Sequence, residues 1–177
     1  SEKPVIVIGN GIRLSGAINE IKNLSNLLKI PILSSWNGAD LLKANDKNYI
    51  GKIGLFGDRA SNFTIQSSDL VIVIGSRLSQ PMTGYELNSF APKAKIVMNE
   101  IDLAEIKKFS NKIDLYFNCD SKFFLNNLLI ELKKIPKNYL LKKDWLLKSQ
   151  KLKHKFPIVL KKYKEYKKFV NSFYFVD

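Results

Sequence analysis

Two short apolar runs constrain this chain more than anything else in it. Val5-Ile6-Val7-Ile8 and Leu70-Val71-Ile72-Val73-Ile74 each stop at a glycine, Gly9 and Gly75. Runs of this length without polar alternation read as strands buried on both faces, the kind found in parallel sheets with helices on each side. After Gly9-Asn10-Gly11, Ser15 is expected to cap a helix in which Ala17, Ile21, Leu24, Leu27 and Leu28 recur at three- and four-residue steps. A second strand, Pro31-Ile32-Leu33-Ser34, follows after only two or three residues, completing a βαβ unit. Residues 35–58 read as a glycine-containing loop long enough to be functional, with Asp58 capping a helix from Arg59 to about Ser67. Beyond Gly75, Ser76 to Phe90 reads as another loop, Lys95 to Asn99 as a strand, and Ile101 to Ile106 as a short helix. Leu115 to Cys119 reads as a further strand. Asp120 or Ser121 then caps a helix that buries Phe124, Leu125, Leu128, Leu129 and Leu132. The fold class expected is α/β: a doubly wound, mostly parallel, Rossmann-like sheet in three α/β/α layers. Residues 1–132 form this nucleotide-binding-like domain, and 133–177 a lysine-rich helical extension that leaves it.

Composition matters mainly through where the charge sits. The net charge of +13 resembles that of a nucleic-acid-binding protein until it is located. Between Lys133 and Lys168 there are fourteen lysines against two acids, whereas the rest of the chain has fifteen basic residues against fourteen acidic. Aromatic residues interleave with the lysines (Tyr139, Trp145, Phe156, Tyr163, Tyr166, Phe169), but the segment contains no arginine, whose fork specific phosphate recognition uses. A solvated helix face is the reading preferred over a nucleic-acid surface. No apolar run approaches the roughly 20 residues of a membrane helix, so no membrane partner is expected. The start of the chain shows no secretory pattern. Cys119 is the single cysteine and His154 the single histidine, which leaves no disulfide framework and no Cys/His metal cage; a cytoplasmic setting is expected.

In an open parallel sheet, ligands bind beyond the carboxyl ends of strands, near a switch in strand order. Gly9, Gly11, Gly75, Ser76 and Arg77 fall at such ends. Free N–H groups and following helix N-termini there suit a diphosphate. The spacing is not GxGxxG, because position 14 is leucine, and a tight turn after a buried strand explains the glycines equally well. Arg77 either pairs with a phosphate or carboxylate or is a surface arginine. Asn99, Glu100 and Asp102 either accept from a ribose hydroxyl or, for Asp102, cap a helix. Trp36 is read as an anchor for its loop in preference to a ring stacked on a ligand. Cys119 is read as a small core residue, and His154 as structural or solvated.

Several segments together resemble a known family. They are Gly51-Lys52-Ile53-Gly54-Leu55-Phe56-Gly57, Arg59-Ala60-Ser61-Asn62-Phe63, the stretch Ser68-Asp69 through Arg77-Leu78, Thr83-Gly84-Tyr85, and Phe90-Ala91-Pro92-Lys93-Ala94-Lys95-Ile96-Val97. Gly9-Asn10-Gly11, Ser15-Gly16-Ala17, Ile30-Pro31 and Glu100-Ile101-Asp102 with Glu105 and Ile106 extend them. The whole, over roughly residues 4 to 132, resembles the central domain of thiamine-diphosphate-dependent enzymes of the acetolactate synthase type. Val170-Asn171 resembles the junction to the domain that follows. The resemblance implies an enzyme that decarboxylates pyruvate or a similar 2-oxo acid and transfers the two-carbon unit, working as a homodimer or homotetramer. Thiamine diphosphate and Mg2+ would be held by flanking domains. The family's magnesium motif, Gly-Asp-Gly with a later Asn-Asn, is not matched, since Gly57-Asp58 is followed by Arg59. The resemblance therefore implies no catalytic and no metal-binding residue here, and no activity for this portion alone. It also implies FAD at Gly9, Gly11, Gly75, Ser76 and Arg77, with Glu100-Ile101 near the adenine; other members hold ADP or nothing there. After Arg77 the synthase pattern Phe-Asp-Asp-Arg is replaced by Leu78-Ser79-Gln80-Pro81, which removes an arginine and two acids from that site. Leu78 to Tyr85 is closer to synthase-like proteins of sugar pathways, which implies an acceptor ketone other than pyruvate. The alternative is a stand-alone nucleotide-binding module whose basic tail attaches to a polyanion or a protein.

Overall fold

A computed structural model describes residues 1–136, 143–165 and 168–176. Tyr139 and Tyr166, two of the interleaved aromatics, lie outside the described residues. Six parallel strands form one sheet: β1 (Pro4–Ile8), β2 (Ile32–Ser34), β3 (Tyr49–Lys52), β4 (Leu70–Ile74), β5 (Lys95–Asn99) and β6 (Leu115–Phe117), in the order β3-β2-β1-β4-β5-β6. The chain fills one half of the sheet and then crosses to fill the other, so β1 and β4 lie side by side at the switch, paired from Pro4↔Leu70 to Ile8↔Ile74. These are the two strands that end in glycine.

Alternation divides β1 between two cores. Val5 and Val7 face a cluster with Val71, Val73, Ile96 and Met98. Ile6 and Ile8 face the opposite cluster with Ile21, Leu24, Ile32 and Leu125. The second cluster is covered by α1 (Gly11–Leu14), α2 (Ile18–Leu28) and, later in the chain, a helix Ser121–Lys133; the first is covered by α3 (Arg59–Gln66) and others named below. The three-layer arrangement follows directly: β1 is apolar on both faces because each face is covered.

The expected elements are present, with several differences. Residues 35–58 contain a strand, β3, at the edge of the sheet. Its four residues are broken by Gly51, whose φ is +145°, and a Cβ there would collide with the Asp58 carboxylate. Gly51 thus makes room for Asp58 Oδ2 to accept from the Lys52 N–H at 2.8 Å, and the glycine that fixes this turn also hides the strand from a pattern search. Ser15 does not cap a helix; it ends α1, its Oγ donating to the Ile12 carbonyl, and α2 starts from Ala17. Asp58 stands before α3 but makes no side-chain cap, its carboxylate being turned to β3. By contrast, Asp102 caps α5 (Leu103–Lys107), after the short α4 (Gln80–Thr83), through the Ala104 N–H at 2.8 Å. Asp120 caps α6 (Ser121–Lys133) through the Lys122 and Phe123 N–H groups.

A further difference concerns the lysine-rich extension. Its helix α7 (Lys143–Lys155) folds back onto the first core instead of leaving the domain. Trp145 and Leu146 are buried, and the Trp145 indole N–H donates to the Pro4 carbonyl at 3.0 Å. Lys153 Nζ donates to the carbonyls of Ala44 and Tyr49, at 3.0 and 2.8 Å; burial lowers its pKa from the ordinary lysine value, partly offset by Asp58 and Asp46. Phe156 stacks 5.2 Å from Phe63 of α3, with the Arg59 guanidinium over its ring. Lys143, Lys148, Lys151 and Lys155 face solvent, as a solvated helix face requires. Short helices α8 (Lys161–Lys164) and α9 (Ser172–Val176) follow. No helix among the described residues is long and apolar enough to cross a membrane.

Candidate functional site

The strand ends at the switch point open into a cavity of about 770 Å3, within the range of small-molecule sites. Six of the seven residues expected there line it: Gly11, Gly75, Ser76, Arg77, Glu100 and Ile101. Gly9 lies behind the wall and permits it. A Cβ on Gly9 would overlap the Gly75 carbonyl, and one on Gly11 would lie 2.7 Å from Gly75 Cα. Gly75 itself has φ +59°, and a Cβ on it would lie 2.9 Å from Gly11 Cα. Backbone crosses backbone at this point, and only glycine leaves space for that.

The crossing also consumes donors. The Gly11 N–H bonds the Gly75 carbonyl at 2.9 Å, the Ile12 N–H bonds the Gly9 carbonyl at 3.2 Å, and the Arg13 N–H bonds the Asn10 carbonyl at 2.9 Å. Gly9 N–H is held by Ile74 and Gly75 N–H by Asn99. The helix after β1 has four residues, and the segment after β4 is not helical until Gln80. The N–H groups of Gly9, Gly11 and Gly75 are therefore engaged within the crossing. The main task of these glycines is the tight approach of two strands.

Arg77 is 70% exposed and sits 3.8 Å from Glu105 Oε1, a loose contact that leaves its guanidinium at the cavity. Arg13 is committed elsewhere, to Asn10, the Asn37 carbonyl and Asp40. Its hydrogen bond holds the Asp40 carboxyl below the usual carboxylate range. Glu100 is buried, and one carboxylate oxygen accepts from the Ile101 and Asp102 N–H groups at 2.9 and 3.3 Å. Asn99 lies deeper: its amide N–H groups hold the Phe117 and Cys119 carbonyls, and its Oδ1 has no partner among the described residues. Cys119 packs against the second core, where burial pushes its thiol pKa up, consistent with a structural role. His154 is exposed on α7.

Two loops complete the wall, and the sequence does not announce their pairing. Trp36, in the turn after β2, is 58% exposed and lines the cavity beside Phe56, with ring centroids 5.6 Å apart. Its indole N–H donates to the Phe56 carbonyl at 3.3 Å. Trp36 does anchor its loop, as expected, and it also offers a ring to the cavity. The Phe56 loop is held from behind by Asn62, which both accepts from the Gly54 N–H and donates to the Gly54 carbonyl at 2.9 Å. From above, the Leu55 N–H bonds the Pro81 carbonyl at 2.8 Å. Asp120 and Ser121, at the start of α6, close the far side. The signal that would have found them is their position at the carboxyl end of β6.

The fold and this site define a class: a doubly wound α/β domain with a ligand cavity at the switch between its halves. Sequence comparison makes the class specific. Residues 1–128 match the family described as the thiamine pyrophosphate enzyme central domain, and the chain belongs to that family. It is 35% identical over 153 residues to the probable acetolactate synthase large subunit of Methanocaldococcus jannaschii, covering 86% of this chain and 25% of that protein. It is 32% identical over 163 residues to the acetolactate synthase large subunit of Cyanidium caldarium, covering 89% and 27%. The acetolactate synthase isozyme 2 large subunit of Escherichia coli is 32% identical over 108 residues, covering 61% and 20%. The chain thus spans about a quarter of the length of the first two of these curated relatives. A likeness covering 89% of the chain cannot end at residue 128, so it runs into the lysine-rich segment as well.

Proposed function

We propose that this chain serves as the central domain of an acetolactate synthase-like enzyme that decarboxylates pyruvate or a similar 2-oxo acid and transfers the two-carbon unit to an acceptor carbonyl. The observation that carries this reading is the family match combined with an open cavity at the β1/β4 switch. In such an enzyme the bond-breaking chemistry belongs to thiamine diphosphate. This domain contributes structure and a second ligand site. Mg2+ takes oxygen ligands in near-octahedral geometry, and no group of three or more His, Cys, Asp or Glu residues among those described is placed to hold a metal. Following the family resemblance, the reading assigns thiamine diphosphate and Mg2+ to other parts of the enzyme, acting in the cytoplasm as a homodimer or homotetramer. FAD, implied for the cavity by the resemblance, has room there. The N–H groups of Gly9, Gly11 and Gly75 are engaged with backbone carbonyls and would not themselves receive its diphosphate.

The coding sequence on either side of this segment tests the proposal. A following domain bearing Gly-Asp-Gly and Asn-Asn, and a preceding one with the catalytic glutamate, are expected. A start codon just before Ser1 and a stop just after Asp177 would overturn the catalytic reading in favour of a free-standing binding protein.

A further inference from the structure

We infer that the open edge of the sheet at β6 is a self-pairing surface, on which a second copy of this chain docks with its own β6 antiparallel to the first. The inference stands on the sheet edge alone and is independent of what the cavity binds.

The two edges of the sheet differ. At the β3 edge, α7 lies alongside: Lys153 Nζ donates to the Tyr49 carbonyl at 2.8 Å, and the Asp58 carboxylate accepts from the Lys52 N–H at 2.8 Å. At the β6 edge no further strand follows among the described residues. The strand there is Leu115-Tyr116-Phe117, without the lysine, proline or bulge by which edge strands are kept from pairing. Its three side chains are 51%, 53% and 40% exposed. Beside them on α6, Phe124 packs 5.0 Å from the Phe117 ring, and its neighbour Phe123 is 64% exposed.

The sequence around Tyr116 fits a second copy in particular. A two-fold axis through a pair of Tyr116 residues, perpendicular to the sheet, sets Leu115 of each copy against Phe117 of the other. Each face of the sheet then continues into the same face of the other copy. Counting outward, Asp114 falls opposite Asn118 and Lys112 opposite Asp120, so opposite charges meet and no like charges do. Area points the same way. Four side chains this large, each about half exposed, offer about 400 Å2 per copy. With the strand backbone and the flanking pairs, the joined surface reaches about 1,000 Å2 in total, the low end for a specific interface. A dimer of about micromolar affinity follows from that size.

Sedimentation of the purified chain tests this. Between about 1 and 200 μM the chain should pass from monomer to dimer, a range that brackets micromolar affinity. Tyr116→Lys, which places two ammonium groups together at the axis, should weaken the dimer about tenfold or more with circular dichroism unchanged. A disulfide reads the register. In a Cys119→Ser background, Tyr116→Cys should cross-link two copies under mild oxidation, because facing residues of an antiparallel pair have Cα atoms about 4.5–5.5 Å apart, within disulfide reach. Tyr85→Cys in the same background, at a side chain 91% exposed in the loop after α4, should not. A chain that stays monomeric at about 200 μM overturns the inference and leaves the proposed function standing. A dimer that Tyr116→Lys does not weaken overturns it as well, and so does a Tyr116→Cys chain that cross-links no faster than Tyr85→Cys.

Discussion

Gly9, Gly11 and Gly75 let the ends of β1 and β4 touch, and the physical reason differs from that at other glycines in the chain. At Gly11 a methyl group would lie 2.7 Å from Gly75 Cα, whereas at Gly16, with φ +66°, a Cβ would meet nothing within 4 Å. Gly11→Ala should therefore force the strand ends apart and cost about 3 kcal/mol or more by overpacking. Gly16→Ala pays only for its backbone angle, about 1 kcal/mol. Urea unfolding of the two variants measures the difference; equal losses would mean that the crossing is not the constraint. The Arg13–Asp40 pair makes a second residue-scale prediction. Arg13 lowers the folded Asp40 pKa, so the stabilisation is present above the ordinary carboxylate value and fades as pH falls through the lower folded value. Asp40→Asn should flatten the acid limb of melting temperature against pH below about pH 5, through and beneath the ordinary carboxylate value. Parallel acid limbs in the variant and the parent would contradict this. These residues were partly legible in the sequence. The glycines stood out by following buried strands, but whether they cradle a phosphate or pack on each other depends on which strands are neighbours, and composition does not carry that.

At the scale of elements, what was legible followed from how completely each element is buried. β1 and β4 declare themselves because both faces are apolar, and α6 because Phe124 and Leu125 recur on one side beneath an aspartate cap. β3 was hidden since Gly51 breaks a four-residue run at the sheet edge. α7 misled in the opposite way: its lysines mark it as solvated, while Trp145 and Leu146 anchor it to the core. Two anchors among six lysines or histidines are too few for periodicity to detect. Because those anchors are buried, Trp145→Ala should destabilise the chain by about 3–5 kcal/mol. Trp145→Phe, which keeps most of the packing but leaves the Pro4 carbonyl without its donor, should cost about 1–3 kcal/mol. Denaturant titration followed by circular dichroism distinguishes them. Parent-like stability of Trp145→Ala would show that α7 is not part of the folded unit.

For the whole molecule, a cavity at the carboxyl ends of parallel strands was predictable from topology, and its glycine and arginine positions from the strand ends. Its character was not. Trp36 and Phe56 are twenty residues apart in sequence and meet only because β2 and β3 are adjacent, with Asn62 holding the second loop in place. On the proposed function this molecule plays a supporting part in thiamine-dependent chemistry, with the groups that act on the 2-oxo acid in other parts of the enzyme. The most direct measurement of that claim is acetolactate and carbon dioxide formation from pyruvate by the purified chain, with thiamine diphosphate and Mg2+ supplied and an intact acetolactate synthase run beside it. The account predicts product from the intact enzyme and none from this chain above a heat-killed control. Turnover by this chain above that control would contradict it.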